Sequence, residues 1–163
     1  MTEAWLAGPV EGIDPLLMPA AHSFLQVRRE TTHLLDGLAI ELLWTRPGAS
    51  APMGFHAIHL AGATDRLLTY ARGEALSDSQ AEVVRGETTV TGLDSSEVLA
   101  RVTSAMDAAV AQLRGTPRET LTAVRLVGRK RLASTVIGLI FHAAEHATRH
   151  VGQIATIRKI VCS

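Results

Sequence analysis

Apolar residues recur at intervals of three and four through most of this chain, the spacing that lines one face of an α-helix. In the first such stretch Phe24, Val27, Thr31, Leu34, Leu38 and Leu42 form one stripe, while Arg28, Arg29, Glu30, Asp36 and Glu41 mostly occupy other faces. Proline is tolerated in the first helical turn and not deeper, so this helix is expected to begin near Asp14-Pro15 or at Pro19. Turn residues at 44–50 end it. A second helix opens at Pro52 and runs to about Arg72, where Gly73 stops it. Ile58, Ala61, Leu68 and Ala71, with Leu60 and Leu67 a heptad apart, form its apolar side. Asp94 followed by Glu97 is a capping-box variant that opens a third helix, with Leu99, Val102, Met106, Val110 and Leu113 on one face and Gly115 and Pro117 closing it. The fourth runs from about Ser134 to the C-terminus and contains no proline.

The connections differ from one another. Residues 74–92 are polar, with Gly86, Gly92 and the run Thr88-Thr89-Val90-Thr91, and form a connection longer than most in compact domains; a short helix around Ser79 to Val84 fits within it. Between Thr116 and Leu132 the pattern is mixed. Residues 121–127 can be extended, and Gly128-Arg129-Lys130-Arg131 reads as a basic, solvated turn. Four long helices with little strand signal make the expected fold class all-α, a four-helix bundle.

The length of 163 residues fits one domain, residues 1–163, able to bury a core without metal or disulfide. Lysine plus arginine equal aspartate plus glutamate at 16 each, so no global basic field favours nucleic acid and no nucleic-acid partner is expected. One cysteine, Cys162, excludes an internal disulfide and cysteine-based zinc motifs. The N-terminal residues lack a basic region followed by an apolar stretch, and no apolar run reaches the roughly 18 to 20 residues of a membrane span. The expected compartment is the cytoplasm, without membrane association.

Chemistry concentrates in the fourth helix, where His142, His146 and His150 are spaced by four. Residues four apart share a helical face, and neutral imidazole is the commonest metal ligand. All three cannot serve one ion, since at about 1.5 Å rise per residue His142 and His150 stand about 12 Å apart along the axis. Helical phase places Glu145, Arg149, Thr156 and Lys159 on the solvent side and His146 and His150 at the edge of the apolar side, with His142 nearer the solvent. The pair His142/His146 with Glu145 also spells a reversed zinc-protease motif, but Glu145 faces outward as an i,i+4 partner for Arg149. Two histidines make a weak site, so a third ligand is expected from a facing helix. His56 and His59 on the second helix are the candidates; His22 and His33 read as surface or boundary residues.

The stretches Phe55-His56-Ala57-Ile58-His59-Leu60-Ala61-Gly62 and Asp65-Arg66-Leu67-Leu68-Thr69-Tyr70 resemble the second helix of the DinB superfamily. His146-Ala147-Thr148-Arg149-His150-Val151-Gly152-Gln153-Ile154 is similar to that family's last helix. The resemblance covers the chain from the first helix onward. It implies an up-down-down-up bundle and a divalent metal ion, commonly zinc or nickel, on His59, His146 and His150. It leaves His56 and His142 as pocket or supporting groups, or simply polar residues at the bundle end. Gln153 lies on the right side of the helix to orient a ligand. Three neutral histidines leave an open position, as in catalytic sites. The implied activities are metal-dependent hydrolysis of a small-molecule substrate, or transfer or isomerisation dependent on a low-molecular-weight thiol such as bacillithiol, mycothiol or glutathione. The alternative is a non-catalytic stress-response bundle acting as a binding or interaction module, with residues 74–92 and 129–131 as contact surfaces. The wide apolar spread around the last helix adds the expectation of a homodimer.

Overall fold

The computed structural model describes residues 2–89 and 91–162; Met1, Val90 and Ser163, which fall in the N-terminal arm, the polar connection and the terminal helix expected above, lie outside them. Helix α1 spans Met18–Leu35 with Pro19 in its first turn. The continuous stripe expected through Leu42 is broken after Leu35. Asp36 leaves the helical region, Gly37 adopts φ +65°, a conformation open to glycine without a Cβ penalty, and the chain restarts as the short helix α2, Ile40–Trp44. The break changes the phase, so Leu43 rather than Leu42 is fully buried.

Helix α3, Met53–Arg72, begins after Pro52 and ends at Gly73, whose φ of +84° lets its N–H reach the carbonyls of Thr69 and Tyr70. In the polar connection α4 covers Asp78–Gly86, opened by a capping box between Ser77 and Gln80. Helix α5, Ser95–Arg114, carries the Asp94/Glu97 box, both of its hydrogen bonds at 2.9 Å. The extended potential near residues 121–127 is realised as a hairpin: β1, Val124–Val127, pairs antiparallel with β2, Leu132–Thr135, in the register Val124↔Thr135. The basic turn is its loop. Thr135 then caps helix α6, Val136–Val161, accepting from the Gly138 N–H at 3.1 Å.

The four long helices enclose one core in which Phe24, Leu60, Met106, Ile140 and Ile154 are fully buried. Both α1 and α3 pack on α5 and α6, which sets α1 diagonal to α3. Contacts between ends fix the directions. His56 meets His150 and His59 meets His146, so α3 and α6 run antiparallel. Trp44, packed on Gly54, bonds the Leu93 carbonyl, while Gln112 bonds that of Leu68; α3 and α5 are therefore parallel. Arg114 reaches the Glu11 carbonyl ahead of α1, and Arg28 pairs with Asp107, so α1 and α5 are antiparallel. The result is up-down-down-up for α1, α3, α5 and α6, the expected bundle, with the hairpin as a small β addition. Among the described residues no helix is long and apolar enough to cross a membrane.

Candidate metal centre

Antiparallel packing of α3 on α6 brings two histidines from each helix to one level. On α3, His56 and His59 are three apart, and on α6, His146 and His150 are four apart, so each pair sits on the facing side of its helix. One ring nitrogen from each of His59, His146 and His150 lies within 4.8 Å of the others, an arrangement that could hold a metal ion. The Nε2 atoms of His59 and His146 are 3.1 Å apart. Two nitrogens at about 2.05 Å from one tetrahedral ion stand about 3.3 Å apart, so the pair already has close to ligand spacing. The donor set fits a borderline divalent ion: three half-buried imidazoles with no thiolate.

The Nδ1 atoms of His59 and His150 are also engaged. His59 Nδ1 lies 2.8 Å from Oε2 of Glu87, directly after α4. Glu87 is 6% exposed, and Arg66 Nη1 donates to its other oxygen at 3.1 Å. Burial pushes the Glu87 carboxyl up, but the hydrogen bonds from His59 and Arg66 and their charges outweigh it and hold it below the usual value. A buried carboxylate accepting from Nδ1–H fixes the tautomer that leaves Nε2 free as a ligand. Gly62 makes room for this pair: a Cβ there would stand 2.8 Å from both Arg66 Nη1 and Glu87 Oε1. On the opposite side His56 Nδ1 lies 2.9 Å from His150 Nδ1, so one proton is shared between them and His150 is held by a neighbouring ring. Phe55 stacks on His59 at 5.5 Å between centroids.

Burial lowers the pKa of His150 to about 4, reinforced by the neighbouring imidazoles of His59, His146 and His56 and by Arg149. Burial also lowers His146, with His59, His142 and Arg149 adding to the shift and Glu145 opposing it. In His56 burial acts first and His59 second. Neutral imidazoles are the state a metal ligand requires.

The remaining candidates sit elsewhere. His142 is at the rim, its ring 5.7 Å from that of His146 and its Nδ1 3.3 Å from Glu145, while Glu145 pairs with Arg149 on the solvent face. Gln153 is exposed, and the bonds that orient the site histidines run instead to Glu87 and His56. His22 bonds the Gly8 carbonyl at 2.9 Å, and His33 lines a separate pocket of about 610 Å³. Glu87 is the residue that sequence reasoning missed. It lies in the connection read as a polar contact surface, and no spacing rule links it to His59.

The comparisons with known proteins agree with the fold. Residues 23–154 match the model of the DinB superfamily. A DinB-like protein from Bacillus cereus has a TM-score of 0.62 at 16% identity, over 83% of this chain and 89% of that one. A Streptococcus pneumoniae protein gives 0.61 at 12%, covering 86% of each. YfiT from Bacillus subtilis, described as a probable metal-dependent hydrolase with an unusual four-helix bundle topology, gives 0.60 at 15%, covering 91% of each. At these identities the likeness speaks for the fold. No curated protein matches by sequence. With the family model spanning all four long helices in part or whole and the bundle topology in agreement, this chain belongs to the DinB superfamily.

Proposed function

We propose that His59, His146 and His150 hold one divalent ion, zinc or nickel, and that the protein is a metal-dependent hydrolase or a transferase using a low-molecular-weight thiol on a small-molecule substrate. The observation that carries this reading is the convergence of three imidazoles with the Nδ1 of His59 taken by buried Glu87. A catalytic site keeps a coordination position open, whereas a closed structural site fills all four. When bound, the ion supplies Lewis acidity to a nucleophile or a carbonyl group. The chain's own residues do the positioning. Glu87 orients His59, and His56 orients His150. The same reading treats residues 1–163 as one domain in the cytoplasm with no nucleic-acid partner. Exposed Phe141 on α6 supports a homodimer.

The first test is metal content after purification without an affinity tag, followed by calorimetric titration of zinc and nickel. The expected result is one ion per chain, with His59→Ala weakening binding at least about 100-fold and His142→Ala leaving it within about threefold, since removing a ligand costs at least as much as removing a supporting group. Absence of any zinc or nickel binding would overturn the reading. Metal binding without turnover on thiol and ester panels would leave the non-catalytic module as the function.

A further inference from the structure

Next to the histidines, between α3, α4 and α6, lies a pocket of about 380 Å³, within the range of about 300–1,000 Å³ typical of small-molecule sites. His59 and His146 form one end of its wall, and Leu67, Tyr70, Leu76 and Val84 form much of the rest. The α3 contribution is a single helical stripe, because His59, Ala63, Leu67 and Tyr70 follow one another at steps of four, four and three. A group held at the histidines therefore has a continuous apolar track leading away from it. Across the track α4 presents Val84, which is 44% exposed, and no residue of α4 is buried. This wall faces the pocket instead of completing the core.

Among the described residues of that lining Arg66 is the one side chain with a permanent charge, and it is already engaged. Its Nη1 and Nη2 lie 3.1 and 3.4 Å from the two oxygens of Glu87, so its charge is balanced within the protein. A carboxylate or phosphate entering the pocket would lose hydration without gaining a free cation. An apolar group gains by entering.

We propose that this pocket takes a hydrocarbon arm of the substrate, acyl, alkyl or aryl, whose polar reacting group sits at the three histidines. The inference rests on the metal-centre reading above. A straight-chain hydroxamate series is the probe, since its headgroup chelates zinc and its tail can be lengthened from acetohydroxamate to octanohydroxamate. Calorimetry on the zinc-loaded protein should show Kd falling about three- to fourfold per added methylene until the pocket is filled, corresponding to about 0.8 kcal/mol for each buried methylene. Val84→Asp, on the surface helix, and Leu76→Asp, on the segment before it, should flatten that dependence while keeping acetohydroxamate affinity within about twofold. A flat series in the parent protein, or a series in both variants as steep as the parent's, would overturn the pocket while leaving the metal centre standing. Failure of zinc itself to bind the same sample removes both.

Discussion

At the scale of single residues, the histidines are supported by one side chain outside their own pattern. Glu87 accepts from His59 and is held by Arg66, and Gly62 leaves the space in which the two meet. Removing a carboxylate that orients a metal-bound imidazole typically costs about 10–100-fold in affinity. Glu87→Ala is expected to weaken zinc binding by that factor with the stoichiometry unchanged, as read by calorimetry; unchanged affinity would show that His59 needs no such support. The three histidines were legible in the sequence because helical phase separates inward from outward positions, and the family resemblance chose His59 over His56. Glu87 was not legible. Its contact with His59 spans a loop and a separate helix, and no periodicity relates positions on different elements. His56 shows the complementary limit: its place on the helix was readable, but its hydrogen bond to His150 depends on how far α3 is offset along α6.

At the scale of elements, caps and stops were the most readable features. Gly73, the Asp94/Glu97 box and Pro52 act locally, through backbone conformation and hydrogen bonds a few residues away, and each stands where its chemistry placed it. The break after Leu35 was hidden because Leu38 and Leu42 continue the apolar spacing, whereas the Asp36-Gly37 pair decides the backbone. The β1–β2 hairpin was half visible as an extended stretch, because its partner strand, Leu132–Thr135, has no alternating pattern of its own. The short α2 created by the break has a defined task. Its Trp44 bonds the Leu93 carbonyl at 2.9 Å and lies over Gly54, where a Cβ would come within 2.7 Å of the indole. That contact seats the start of α3, two residues before His56. Gly54→Ala must push the indole or the helix aside, and overpacking of this kind costs about 1–3 kcal/mol. A urea melt should show a lower midpoint at unchanged slope; an unaltered midpoint would mean that Trp44 moves freely and does not fix α3.

At the scale of the whole molecule, the same packing that gathers imidazoles makes the metal-free bundle sensitive to acid. α3 and α6 are the most closely associated pair of helices, and their shared face carries His56, His59, His146 and His150. Burial lowers the pKa of His56, His146 and His150, the last to about 4 from an ordinary 6.5. Between those values the unfolded chain binds protons that the folded chain does not, so acidification favours unfolding. The neutral histidines therefore contribute their full stability above about pH 6.5, and it is lost progressively as pH falls toward about 4. Glu87 continues the slope below. Its carboxyl is held under its ordinary value of 4.5, so its contribution is present above that pH and is lost as protonation sets in. The thermal midpoint of metal-free protein should decline steadily from pH 7 to pH 4, and His150→Gln, which removes the most strongly shifted ring, should make the decline shallower. Equal slopes in parent and variant would mean that the α3–α6 face relaxes enough to hydrate His150 in the folded state. The bundle would then bring its histidines together without desolvating them.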